Sequence, residues 1–141
     1  GVCSGANVEL VRALGAAHVI DYTREDFTAG AQRYDIVFDT VGQASFVTCG
    51  HLLKPGGRLL LAVASFAQLL DAMRSKPDGK RVIAGAAKER LEDLTLLAQL
   101  AEAGAYKPLV GRSLPLEEIV EAHRLVDSGH KRGSVVIALD A

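Results

Sequence analysis

Cysteine is scarce. The chain has 141 residues, and only Cys3 and Cys49 are cysteines. Two such thiols make no disulfide framework, which excludes a small secreted scaffold held by bridges. A reducing, cytoplasmic setting is expected instead. Charge of one sign is lacking too. Sixteen Lys and Arg stand against 17 Asp and Glu, for a net charge of −1. No bulk field draws such a chain to nucleic acid or an anionic membrane, so neither is an expected partner. No apolar run approaches the roughly 20 residues that span a bilayer, and no secretory signal pattern is visible. Repeats and low-complexity linkers are absent, as are CxxC and HxxxH spacings. Zinc needs about four ligands, or three at a catalytic centre. No metal site is therefore expected in this chain.

What the chain does have is alternation. Hydrophobic residues make up 49% and charged residues 23%, ordinary for a globular domain with a core. Residues 7–14 read as a helix, with Val8, Leu10, Val11 and Leu14 on its apolar face and Gly15 as its stop. Residues 18–22 read as a short strand. Residues 34–41, YDIVFDTV, are the strongest buried strand. A helix is predicted over 43–53, a turn at Lys54-Pro55-Gly56-Gly57, and a strand over 58–63. Phe66, Leu69, Leu70 and Met73 mark another helix. A strand over 81–84 and a long helix over 88–103 follow.

Strands apolar on both faces, separated by helices, argue a parallel sheet covered on both sides. Right-handed crossovers make it a doubly wound α/β sheet. Ligands then bind beyond the carboxyl ends of the strands, which points to residues 3–7, 21–23, 39–42 and 63–66. The last part differs. An extended segment within 106–116 leads to a helix over 117–127, whose first-turn glutamates suit a helix N-terminus. His123 falls on its apolar side with Leu116, Ile119 and Val126. A loop, Ser128-Gly129-His130-Lys131-Arg132-Gly133, then precedes the strand SVVIAL. That strand needs a sheet the sequence does not identify, and without one it leaves unpaired edges prone to association.

The opening turn, Cys3-Ser4-Gly5-Ala6-Asn7, bears on cofactor choice. In a dinucleotide-binding half, an acid at the end of the second strand binds the adenosine ribose. Residues 1–3 read as the tail of that strand, and Cys3-Ser4 stand where the acid belongs. A hydroxyl and a helix N-terminus there would accept a phosphate, which suggests NADP over NAD. The alternative is that Ser4 or Asn7 merely caps the helix.

In order along the chain, VCSGANVELVRALGAAHVIDYTREDF, YDIVFDTVG, LLKPGGRLL and PLEEIVEAHRLVDSGHKRGSVVIAL resemble the medium-chain dehydrogenase/reductase superfamily. The branch they resemble is the quinone oxidoreductase-like one, often labelled zinc-binding dehydrogenase. The resemblance covers essentially the whole chain. It implies an incomplete Rossmann-type sheet over residues 1–106, lacking its first strand and Gly-rich turn. Residues 107–141 would then be a helix–strand segment belonging to the catalytic domain.

By this resemblance Ser4, with Asn7, would meet the adenosine 2′-phosphate, and Tyr22 the same group or the adenine. Thr40 would lie by the ribose or nicotinamide, and Val63 would offer backbone contacts there. His130, Lys131 and Arg132 would form a loop reaching the cofactor, where two cations suit phosphate. Relatives often carry Arg or Lys within the opening turn; here that position is Ala6, which leaves Ser4 and Asn7 with less electrostatic help. The implied cofactor is NADPH, with NADH as the alternative. The implied activity of the parent is hydride transfer to a quinone or an activated carbonyl or enone. Asp39 is expected to brace the loop after its strand, and no residue reads as a catalytic acid or base. Homodimerisation through an edge strand is a further implication. Zinc ligands in relatives lie mostly outside the matched portion, so "zinc-binding" would be a family label only. Two alternatives remain open. One is a non-catalytic, truncated piece. The other is an S-adenosylmethionine-dependent methyltransferase, whose late strands LLKPGGRLLLAV resembles but whose ribose-binding acid is missing.

Overall fold

The computed structural model describes residues 1–74, 76–86, 88, 90–129 and 131–139. It divides into two compact units, Gly1–Ala87 and Lys88–Ala141.

In the first unit, β1 (Val2–Cys3) runs through a 3-10 turn, Gly5–Asn7, into α1 (Val8–Ala13). β2 (Ile20–Asp21) returns parallel to β1, with Cys3 opposite Asp21. Next come β3 (Tyr34–Asp39), α2 (Phe46–Cys49), a 3-10 turn Gly50–Leu52, β4 (Leu53–Leu61), α3 (Phe66–Ala72) and β5 (Arg81–Ala84). The last three strands form a parallel sheet in the order β3-β4-β5. Parallel strands joined by helices are the α/β pattern the sequence predicts. They form two sheets rather than one: among the described residues, no ladder joins the β1–β2 pair to β3.

The core explains which face matters. Leu59, Leu61 and Val82 point from β4 and β5 onto Ala44, Cys49, Leu52 and Leu53. Cys49 is fully buried, and both cysteines are free thiols. Within this unit the other face is not covered as predicted. The register sets Phe38, Leu60 and Ile83 in one row, and Phe38 and Ile83 are 61% and 48% exposed.

Two elements differ from expectation for local reasons. The helix predicted over 43–53 starts only at Phe46, because the Asp39 carboxylate holds the preceding amides in a turn and Ser45 caps the helix. The turn predicted at 54–57 lies within β4. The register jumps from Tyr34 opposite Leu53 to Ile36 opposite Arg58, so these residues bulge out opposite Asp35, to which Lys54 is ion-paired at 2.8 Å.

The second unit holds α4 (Leu91–Glu102), β6 (Val110–Pro115), a 3-10 turn Leu116–Glu118, α5 (Ile119–Asp127) and β7 (Ser134–Ala138). β6 and β7 pair in parallel, with α5 as the crossover. This corrects the expectation of an unpaired terminal strand. Leu114 and Ala122 are buried here, whereas His123 is exposed, so the inward stripe of α5 runs through Ala122 rather than His123. Among the described residues, no helix is long and apolar enough to cross a membrane.

Candidate functional site

The carboxyl ends of β1 and β2 build the first half of the site. Parallel pairing directs the Tyr22 amide to the Cys3 carbonyl at 3.1 Å, which sets Tyr22 beside the Ser4 turn with its ring exposed. Neither Ser4 nor Asn7 caps a helix through its side chain, so the capping alternative is not what these groups do. Instead Asn7 Nδ2 donates to Ser4 Oγ at 3.4 Å. Asn7 Oδ1 is buried and, among the described residues, has no partner. A buried acceptor left unpaired costs about 1–3 kcal/mol. The Asn7 amide can also turn over, with Ser4 Oγ–H donating to Oδ1 and Nδ2 left free. The pair therefore suits either a ribose hydroxyl or a phosphate oxygen, and so fits the adenosine end of a nicotinamide dinucleotide.

The electrostatics around this turn are mixed. Asp21 accepts from the Thr23 hydroxyl at 2.6 Å and the Thr23 amide at 3.0 Å. The Thr23 hydroxyl, then the Thr23 amide, Arg24 and the Gly5 amide outweigh burial and hold the Asp21 carboxyl below its usual range. An open pocket of about 570 Å³ beside the turn is lined by Gly5, Glu9, Asp21, Arg24 and Glu25 among others. Its wall thus carries three carboxylates and one guanidinium. The exposed Ala6 adds no cation.

The carboxyl ends of β3 and β4 build the second half. Asp39 Oδ1 accepts from the Val41 and Gly42 amides at 2.8 and 3.1 Å, and Oδ2 from the Ala44 amide at 2.7 Å. Burial pushes this carboxyl up, but the backbone donors outweigh it, so it lies below the usual range. The brace expected of Asp39 is therefore present, and it fixes Thr40 between the strand and the turn. The Ala62 amide donates to the Asp39 carbonyl at 2.8 Å, which aligns the β4 loop with the β3 loop. Gly42 sits at φ +84°, where a Cβ would lie 3.4 Å from Val63 Cγ1. The loops carrying Thr40 and Val63 thus meet at Gly42, and both residues are exposed at the strand ends. Sequence reasoning missed Gln68, which contacts both loops. The Ser65-x-x-Gln68 capping-box spacing was readable, but its link to Ala44 spans 24 positions.

Lys131 and Arg132 are exposed in the loop before β7, in the second unit. Lys131 Nζ donates to the Gly133 carbonyl at 3.4 Å. The loop lies tightly on β6: a Cβ on Gly111 would stand 1.8 Å from the Arg132 carbonyl oxygen, so only glycine fits there. His130 lies outside the described residues. Ser4, Asn7, Tyr22, Thr40 and Val63 all belong to the first unit.

Among the described residues, no group of three or more His, Cys, Asp or Glu side chains is placed to hold a metal ion.

Known proteins are similar to this chain. A 2-methylene-furan-3-one reductase of Solanum lycopersicum is 29% identical over 95% of this chain and 31% of its own length. A chloroplastic NADPH-dependent alkenal/one oxidoreductase of Arabidopsis thaliana is 28% identical over 95% of this chain and 32% of its own length. The solved quinone oxidoreductase of Coxiella burnetii superposes with a TM-score of 0.76 at 28% identity, covering 96% of this chain and 43% of that one. The chain therefore spans about a third to two-fifths of the relatives' length. The Rossmann-like α/β fold is shared with that structure. The zinc-binding dehydrogenase family matches residues 14–137, from the end of α1 to the last strand, and the chain belongs to that family.

Proposed function

We propose that this chain is a cofactor-binding portion, centred on residues 1–106, of an NADPH-dependent oxidoreductase that passes hydride to a quinone or an activated carbonyl or enone. The observation that carries the reading is the Ser4–Asn7 pair, with a buried amide group that has no partner among the described residues and no capping role. It stands at the strand end where an adenosine ribose is bound in such folds. The relatives' names support the acceptor class: a furanone reductase, an alkenal/one oxidoreductase and a quinone oxidoreductase.

The reduced nicotinamide supplies the hydride when bound. This chain's residues would bind and orient. Ser4, Asn7 and Tyr22 would hold the adenosine end, and the Thr40 hydroxyl and the Val63 backbone the ribose or nicotinamide. Lys131 and Arg132 would offer cations to a phosphate-rich ligand. No residue is assigned as acid or base. The chain alone is proposed to bind rather than to turn over, given its share of the relatives' length. Its free thiols fit a reducing compartment.

The test is a titration of the chain with NADPH and NADH, followed by thermal unfolding. A ligand at about tenfold its dissociation constant adds ~1.4 kcal/mol of stability. NADPH is expected to raise the melting temperature, and NADH to do so less. No shift with either dinucleotide up to millimolar concentration overturns the reading.

A further inference from the structure

Gln68 stands at the third position of α3, where it would ordinarily complete a helix cap. Its Oε1 accepts from the Ser65 amide at 2.7 Å, and its own amide donates to Ser65 Oγ at 3.4 Å. That is a capping box, which Glu fills as well as Gln. Gln68 does more than cap. Its Nε2 donates to the Ala44 carbonyl, 24 positions away, at 2.8 Å. Only one orientation of the amide serves both bonds. Turned over, it would set N–H against N–H and oxygen against oxygen.

The Ala44 peptide is the shared link. Its amide donates to Asp39 and its carbonyl accepts from Gln68. Ala44 is 6% exposed and Gln68 is half-buried, so water competes weakly for these bonds. A continuous path thus runs Asp39, Ala44, Gln68, Ser65. It joins the loop carrying Thr40 to the loop carrying Val63. The Ala62–Asp39 backbone bond closes the path at the strand ends, with Gly42 against Val63 in between.

We propose that Gln68 is a positioning residue, whose side chain ties the two loops so that Thr40 and Val63 hold one spacing toward the dinucleotide. This rests on the cofactor reading above. Gln68 itself touches no reacting atom.

Glutamate separates the two roles. Gln68→Glu keeps the acceptor for the Ser65 amide and places a negative charge at a helix N-terminus, which is favourable. It removes the donor to Ala44 and sets an anion against a carbonyl. A residue that only caps would tolerate the change. The test measures amide hydrogen exchange, melting temperature and NADPH and NADH titrations on the whole chain, for the wild type and Gln68→Glu. Gln68→Met serves as a variant lacking both arms. The expected result is an unchanged or raised melting temperature for Gln68→Glu and protection at Ser65 kept. Exchange at Gly42 and Ala44 should quicken about tenfold, equivalent to ~1.4 kcal/mol, and the dinucleotide dissociation constant should rise at least threefold. Gln68→Met should show the same loosening plus a lower melting temperature. Unchanged exchange at Gly42 and Ala44 overturns the tie. Faster exchange with an unchanged dissociation constant overturns the positioning role and leaves the cofactor reading standing. A wild-type chain that binds neither dinucleotide overturns that reading, and the positioning role with it.

Discussion

The Ser4 turn and the Asp39 turn do comparable work at the ends of parallel strands, yet they are built differently. The Ser4 turn follows a two-residue strand and enters α1, which has no buried residue. The Asn7–Ser4 side-chain bond there is long, and Asn7 Oδ1 is buried without a partner among the described residues. The Asp39 turn follows a six-residue strand and sits against the buried cluster of Ala44, Cys49, Leu59 and Leu61. Three amides converge on its carboxylate. The Asp39 turn is braced by its own carboxylate, whereas the Ser4 turn keeps a buried acceptor without a partner among the described residues. Preorganisation at one end lowers the ordering cost of binding, and unpaired groups at the other gain most from it.

The largest expected difference lies in the support beneath each turn. Leu59 is fully buried in β4, opposite Val37 and Val82. Leu59→Ala should cost about 2–5 kcal/mol through lost burial and the cavity left behind. Val8→Ala in α1, half-buried at most, should cost under about 1 kcal/mol. Urea unfolding of the two variants checks this. Equal losses would mean that both turns rest on one cooperative core, and the contrast drawn above would fail.

Asp39→Asn comes next. The amide keeps one acceptor oxygen and turns donors toward amides that also donate, so a loss of about 1–3 kcal/mol is expected at neutral pH. The pH dependence has a definite sign. The folded carboxyl lies below its ordinary value. Its stabilisation is therefore fully present above the unfolded value near 3.9 and is lost as pH falls through the folded one. The gap in melting temperature between wild type and Asp39→Asn should be constant from pH 7 to about 5 and close below about 4. Asp21, Asp26 and Asp35 are also held low, but they titrate in both proteins and cancel in the difference. A gap independent of pH would show that the charge of Asp39 is not what holds the turn.

What the sequence revealed follows the range of the interactions involved. The strands within YDIVFDTV and at 81–84 were legible because β-branched and aromatic runs favour an extended backbone locally, although β3 ends at Asp39 and holds no buried residue, contrary to the buried strand expected there. So was the bracing role of Asp39, whose amide donors lie two to five residues on. The shortened α2 was not, because the competition between a helix start and a carboxylate for the same amides is settled by geometry. The partner of SVVIAL was hidden for a plainer reason. β6 reads VGRSLP, with little apolar pattern, and it qualifies as a strand only because β7 lies against it. The uncovered Phe38–Ile83 row was equally hidden, since an apolar strand looks the same whichever face is packed. At the site, the residue type at Ser4 suggested a ligand, and the family resemblance added Tyr22. The absence of side-chain caps, which favours that reading over a structural one, needed coordinates.

The smallest expected effect is the sharpest probe of what the Ser4 turn is for. Its surroundings carry Glu9, Asp21 and Glu25 against Arg24, and Ala6 contributes no charge. A 2′-phosphate bound there would meet Ser4 and Asn7 with a field that does not favour it. Ala6→Arg places a guanidinium on the turn, exposed and free to reach a phosphate. One added surface charge pair is worth roughly 1 kcal/mol in water, so affinity for NADPH should rise about fivefold relative to NADH. The gain should shrink at high salt, as screening demands of an exposed pair. Stability of the free chain should barely move, since Ala6 is exposed. A ratio that rises and then falls with salt locates the 2′-phosphate at this turn. A ratio unmoved by the substitution means that the phosphate lies elsewhere, and that the Asn7 amide completes some other contact than the one proposed.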